Sequence, residues 1–178
     1  MKKISMKESF LGGLIVLLLF ARCGNSDFGP GFEMNYIQDF EIFAGLNTID
    51  THVFEFNIES NFKDYLNNNG VSEEQVETII PKYIRFSNLS GNQDYSILNR
   101  VRINVSNLDG TLEYEVAYRE PVPLNTAFDL DLIPTLAEVP EQLKEDQFKT
   151  KIKLNFSQTS PISIDTRMFL AFQVVLKE

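Results

Sequence analysis

Apolar and polar residues alternate with a period of two through most of the chain after residue 32. Segments with this alternation are separated by Gly, Asn, Asp and Pro, which is typical of β-strands joined by turns. Strands are predicted at 36–43, 50–58, 79–88, 99–106, 112–119, 127–132, 148–156 and 164–176. The pattern therefore predicts an all-β domain, an antiparallel β-sandwich of seven or eight strands, either immunoglobulin-like or jelly-roll-like.

The clearest local prediction is a hairpin around Asp109-Gly110, because this dipeptide favours a tight turn and both flanks alternate. Pairing about the turn places the apolar residues on one face and brings Arg102 within reach of Glu115 on the other. The expected pairs are Val105 with Tyr114, Ile103 with Val116, and Val101 with Tyr118.

One or two short helices are predicted between the strands. A helical turn is expected at 60–68, ending at Gly70, and Ser72 to Gln75 matches a capping box. A further helix or loop is expected at 134–146. The last predicted strand, 164–176, is apolar at both parities over much of the stretch from Met168 to Leu176, which indicates a central strand covered on both faces.

The N-terminus differs from the rest of the chain. Lys2, Lys3 and Lys7 precede an apolar run of 12 residues at 10–21, and Arg22 and Cys23 follow it. About 20 apolar residues are needed to cross a bilayer, so this run is predicted to be the apolar region of a signal peptide. Cys23 is the one cysteine of the chain, and its position directly after the run favours modification of its thiol.

The segment Leu19-Phe20-Ala21-Arg22-Cys23 resembles the lipobox of bacterial lipoproteins, with Arg22 where that family usually has a small residue. The resemblance implies that residues 1–22 are removed and that Cys23 carries acyl chains that anchor the protein in an envelope membrane. Gly24 at the following position implies the outer membrane or cell surface, with the periplasmic side also open. Residues 23–32 are expected to form a flexible tether, and 33–178 the sandwich domain.

The net negative charge of the chain limits the classes of molecule that it could bind. The whole chain has a formal charge of −9, and removal of residues 1–22 leaves 12 basic and 24 acidic side chains. Nucleic acid is not an expected partner, because phosphate binding requires clustered Lys and Arg. With one Cys and one His, a zinc site or a Cys/His nucleophile pair is not expected either, and no cofactor is predicted.

Several residues are nevertheless candidates for chemistry. His52 shares parity with Phe54 and Phe56 and is interpreted as a structural histidine. The carboxylate pairs Glu113/Glu115 and Asp129/Asp131 each lie about 6.5–7 Å apart on one strand face, within the range of glycosidase pairs. Asp129 and Asp131 are also candidate calcium ligands, although a solvated face explains both pairs.

Two further features suggest ligand contacts. Tyr83 and Arg85 are expected to point outward, because Ile84 and Phe86 take the buried parity, and they are candidate ligand-binding residues. Lys149, Lys151 and Lys153 form a basic stripe. It is expected to neutralise an acidic neighbour or to protect a sheet edge, and the alternative is contact with an anionic glycan or lipid headgroup.

Together these patterns predict a membrane-anchored, non-catalytic envelope lipoprotein that serves as a binding, adhesion or assembly module. Its partners would be the membrane, through the acyl chains, and an envelope protein or a glycan. This hypothesis requires an exposed apolar or aromatic patch near the loops. The alternatives are a carbohydrate- or calcium-binding module in polysaccharide uptake and a carboxylate-dependent glycoside hydrolase.

Overall fold

The computed structural model describes residues 31–177, and these form eight strands and two short α-helices. Cys23 and most of the predicted tether lie outside the described residues. The strands are β1 (Gly31–Ile42), β2 (His52–Glu59), β3 (Val76–Asn88), β4 (Leu98–Ser106), β5 (Tyr114–Arg119), β6 (Asp129–Pro134), β7 (Gln147–Phe156) and β8 (Ile164–Leu176). The helices are α1 (Phe62–Asn69) and α2 (Pro140–Lys144).

All eight strands are antiparallel to their neighbours, in the order β1-β8-β3-β6-β5-β4-β7-β2. The strands divide into two four-stranded sheets, β1-β8-β3-β6 and β5-β4-β7-β2, which join where β6 pairs with β5 at only two residue positions. This interleaved order is that of a jelly roll. The all-β sandwich predicted from alternation is confirmed, and the strand order selects the jelly-roll form over the immunoglobulin-like one.

Each strand buries one parity of its side chains between the sheets. Tyr36 of β1, Phe148 of β7 and Phe172 of β8 meet edge to face, with ring centroids 5.1 to 6.4 Å apart. A fully buried aromatic side chain of this kind stabilises the fold by about 1.5–3 kcal/mol. β8 lies between β1 and β3, and its residues from Leu170 to Val174 are buried on both faces, as predicted for a central strand.

The first strand begins earlier than the alternation predicted. Gly31 and Phe32, assigned to the tether, pair with Val175 and Val174 as the first residues of β1. The backbone of Gly31 passes so close to β8 that an added Cβ would lie 1.9 Å from the Val174 carbonyl oxygen. A glycine is therefore required where the chain enters the sheet.

The predicted hairpin is present, but its register changes partway along. Val105 pairs with Tyr114 as predicted, and the connection spans residues 107–113, longer than a two-residue turn. A bulge after this point adds a residue to β5, so Ile103 faces Ala117 and Arg102 faces Tyr118. The prediction that Val116 and Tyr118 share the buried face is therefore wrong for Tyr118. Val116 is fully buried, whereas Tyr118 is 36% exposed.

Both helices connect strands at the Gly31 end of the sandwich. α1 ends as predicted at Gly70, which has a positive φ of 64° and donates its amide hydrogen to the last turn. Ser72 and Gln75 form the predicted capping interaction, with Ser72 N donating to Gln75 Oε1 at 2.9 Å, but only one 3₁₀ turn follows. The chain then enters β3 at Val76.

α1 also covers part of the free edge of β1. Asn35 N donates to the Tyr65 hydroxyl at 3.0 Å, and the same hydroxyl donates to Asn35 O at 2.8 Å. The side chain of Tyr65 thereby satisfies both polar groups of one edge residue, as a neighbouring strand would do.

Candidate binding sites

Tyr83, Arg85, Asp129 and Asp131, which the sequence indicated as two unrelated candidate sites, lie together on the outer face of the β3–β6 pair. Arg85 faces Asp131 in the register, and the inward parity of β3 is occupied by the buried Ile84 and Phe86. Arg85 binds Asp131 through two hydrogen bonds, Nε to Oδ1 at 2.6 Å and Nη2 to Oδ2 at 3.1 Å.

The cluster extends to both sides of this ion pair. The Tyr83 hydroxyl donates to Asp131 Oδ1 at 3.2 Å, and the Arg85 guanidinium carbon lies 5.3 Å from the centre of the Tyr83 ring. Arg85 Nη1 is 3.7 Å from Asp129 Oδ2, whose other oxygen accepts a 2.6 Å hydrogen bond from Ser87 Oγ. The result is one connected polar group with a partly exposed aromatic ring beside it.

The charges within the cluster stabilise one another. The hydrogen bonds and positive charge of Arg85 lower the pKa of Asp131. Burial, followed by the negative charge of Asp131, raises the pKa of Tyr83, which keeps its hydroxyl protonated and able to donate. The cluster therefore presents a carboxylate, a guanidinium and a phenol in defined protonation states.

Asp129 and Asp131 are less suited to calcium than their spacing suggested. Both oxygens of Asp131 accept hydrogen bonds from Arg85, while a calcium ion requires six to eight oxygen ligands. Within residues 31–177, no group of three or more His, Cys, Asp or Glu side chains could hold a metal ion.

Glu113, just before β5, and Glu115, on β5, are both engaged by basic side chains of neighbouring strands. Glu113 accepts hydrogen bonds of 2.9 Å from both Lys151 and Lys153, and Glu115 lies 3.4 Å from Arg102, the pair predicted from the hairpin. The two lysines lower the pKa of Glu113. A glycosidase acid needs the opposite shift, toward a raised pKa. Lys151 and Lys153 neutralise acidic neighbours, as predicted. The prediction that the stripe protects a sheet edge is wrong, because β7 lies between β4 and β2.

His52 lies at the start of β2, where its Nε2 is 2.9 Å from the Asn47 carbonyl oxygen. Its ring meets the Phe156 ring edge to face, with centroids 5.4 Å apart. These contacts match the structural role expected of it.

Sequence reasoning named none of the large apolar side chains that are exposed at the loop end of the sandwich. We define the loop end as the connections β1–β2, β3–β4, β5–β6 and β7–β8, all at the end opposite Gly31. It exposes Phe43, Ile49, Leu89, Leu124, Phe128 and Ile162, of which Ile49 is 89% and Leu124 is 85% exposed. The available signal was the presence of large apolar residues within turn-rich segments, such as Leu124 between Pro123 and Asn125.

Backbone hydrogen bonds hold these loops side by side. The β1–β2 and β7–β8 loops are joined by Gly45 N to Ser160 O at 3.0 Å. Leu89 N donates to Asp165 O at 2.8 Å, which links the β3–β4 loop to the start of β8. Asn88 N donates to Phe128 O at 2.7 Å, which adds the β5–β6 loop. The loops that carry the exposed apolar residues thus lie side by side at one end of the sheets.

No helix within residues 31–177 is long and apolar enough to span a membrane. No protein-family model matches the chain, and no curated protein matches it. A chain of the Kashmir bee virus empty particle at acidic pH has 9% sequence identity and a TM-score of 0.33, with 84% of this chain and 95% of that chain covered.

Proposed function

We propose that this protein is a lipid-anchored, non-catalytic binding module of a bacterial envelope, held by Cys23 and presenting its loop end to a partner. The observation that carries the proposal is the exposed apolar surface at the loops, which the binding hypothesis required. Large apolar side chains that are exposed together at one end of a domain are typical of interaction sites.

The geometry of β1 supports this arrangement. β1 has 12 residues and rises about 3.3 Å per residue, so the loop end is about 36 Å from Gly31. Seven residues, 24–30, separate Gly31 from an anchor at Cys23. The loop end would then face away from the anchoring membrane, toward either the cell exterior or the periplasm.

The anchor is tested by mass spectrometry of the mature N-terminus, with Cys23→Ser as the matched variant. We expect the native chain to carry acyl groups on Cys23 and to partition into the detergent phase. The Cys23→Ser chain should lack acyl groups and should partition into the aqueous phase. Two or more acyl chains give stable attachment, whereas one is marginal. A native chain that has an unmodified Cys23 after export would contradict the proposal.

A second candidate function is carbohydrate binding, and the observation favouring it is the cluster of Tyr83, Arg85 and Asp131. A sugar could stack on the Tyr83 ring while its hydroxyls bond to the charged groups. Calorimetric titration with a panel of neutral polysaccharides, and separately with Ca²⁺, tests this function. Binding that is lost in Tyr83→Ala but kept in Tyr114→Ala, an equally exposed tyrosine, would support it, and absence of heat with every probe would contradict it.

A further inference from the structure

The charge of the loop end indicates what kind of partner fits it. The connecting segments 43–51, 89–94, 120–128 and 157–163 contain no Lys or Arg, and they contain Asp50, Asp94 and Glu120. The adjacent strand ends add the exposed Glu41 and Asp165. The exposed apolar residues are therefore surrounded by negative charge.

Two arginines border these segments: Arg119, the last residue of β5, directly precedes Glu120, and Arg100 lies near the start of β4. Arg100, at the start of β4, forms an ion pair with Glu120, which leaves the acidic character of the other loops unchanged. Asp94 is 3.0 Å from Ser96 N and caps the turn that follows it, whereas Asp50 is exposed and bonds only to Asn47 within its own loop. Asp50, Glu41 and Asp165 are all exposed at the loop end.

From this arrangement we propose that the loop end binds a protein whose contact surface combines apolar side chains with a rim of Lys and Arg. Apolar residues at the centre and complementary charge at the rim are the usual composition of a specific interface. The inference rests on the proposed function, because the lipid anchor directs the loop end away from the membrane.

Charge disfavours the two other occupants of an apolar surface. A second copy of this chain, bound loop end to loop end, would bring acidic rims together, and like charges in contact oppose association. A lipid surface that carries anionic headgroups would be repelled in the same way, since membrane-binding surfaces are rich in Lys and Arg. A basic protein surface avoids both penalties.

The first arm of the test is photo-crosslinking in intact cells of the native host with the full-length chain. A photoreactive amino acid replaces Leu124 in one strain and Leu136 in another. Leu136 is the matched control, because it is 86% exposed but lies in the β6–α2 connection near the Gly31 end. We expect a protein adduct from position 124 and not from position 136, with the adduct identified by mass spectrometry.

The second arm measures affinity between the purified chain and the protein identified in that adduct. Leu124→Asp should weaken binding at least about tenfold, as expected for a central interface residue, and Leu136→Asp should change it less than twofold. Asp50→Lys and an increase of salt from 50 to 500 mM should each weaken binding severalfold, while Glu138→Lys, a charge reversal near the Gly31 end, should not.

Each remaining outcome overturns the inference. Equal labelling from positions 124 and 136 would show that the loop end has no partner, and an adduct with a second copy or with lipid would identify a different occupant. Affinity that is insensitive to salt and to Asp50→Lys would refute the basic rim. These failures are distinct from failure of the anchor, since acylation of Cys23 is measured separately and a partner bound at another surface would leave the binding module intact.

Discussion

At the scale of single residues, buried hydroxyl groups connect the sheets to the helices. Tyr36 is 6% exposed, and its hydroxyl donates to Ser60 O at 2.7 Å. Burial raises the pKa of Tyr36, so the hydroxyl remains a donor at every ordinary pH. Ser60 in turn donates its own hydroxyl hydrogen to Leu143 O of α2. A short series of hydrogen bonds therefore joins β1 to α2 through one serine.

Tyr36→Phe should lower the free energy of unfolding by about 1–3 kcal/mol, because the buried carbonyl of Ser60 loses its hydrogen bond without gaining water. Tyr65→Phe removes the same atom from an exposed contact, where water can replace it, and should cost less than about 1 kcal/mol. Urea denaturation followed by circular dichroism measures both. Equal losses in the two variants would refute the role assigned to burial.

The candidate site was only partly predictable at this scale. Alternation on β3 placed Tyr83 and Arg85 outward, and the same argument placed Asp129 and Asp131 outward on β6. That these strands are neighbours depends on the pairing of β3 with β6, which are separated by some 40 residues. Without that pairing, a sequence shows two pairs of residues but not the ion pair between Arg85 and Asp131.

At the scale of elements, alternation located all eight strands, because at least part of each strand buries one face of a sheet and therefore repeats with a period of two. The bulge in β5 was not predictable in this way. Val116 and Tyr118 have the same parity in the sequence, and nothing in the residue types marks the extra residue that separates their environments. The segment of β1 before Tyr36 was missed because its partner, β8, determines where pairing starts.

The bulge can be tested by replacing Val116 and Tyr118, one at a time, with aspartate. Val116→Asp should destabilise the fold by more than about 3 kcal/mol, because it buries a charge without a partner in the core. Tyr118→Asp should cost about 1 kcal/mol or less, since that side chain is partly exposed on the outer face. Chemical denaturation of each variant gives the comparison. A regular hairpin, in which both residues face inward, would instead make both substitutions severely destabilising.

At the scale of the whole molecule, ion pairs on the outer faces link stability to pH. Asp39, Glu113 and Asp131 each have a lowered pKa, caused by hydrogen bonds to Arg167, to Lys151 and Lys153, and to Arg85 respectively. A carboxyl with a lower pKa in the folded than in the unfolded chain stabilises the fold above its unfolded pKa of about 4. That stabilisation is lost as the pH falls through the folded pKa.

We therefore expect the urea midpoint to be nearly constant from pH 7 to 5 and to fall progressively below about pH 4. Arg85→Met should make this fall smaller, because Asp131 would recover its ordinary pKa. The matched control is Lys63→Met, whose partner Asp146 is 3.6 Å away with both side chains largely exposed, and it should follow the native curve. An Arg85→Met curve that parallels the native curve would contradict the assignment of this linkage to the Arg85–Asp131 pair.

The Tyr65 hydroxyl, which binds the edge of β1, limits the association of crowded molecules through that edge. Within residues 31–177, β1 has no second strand beside it, and an uncovered edge of 12 residues is a template on which another copy could grow a fibril. Tyr65 blocks that growth at Asn35, and the exposed negative charge of Glu41 repels an identical strand near the other end of the edge, whereas Glu33 and Asp39 form ion pairs with Lys82 and Arg167. The fold can thus be packed densely on a surface without polymerising through its first strand.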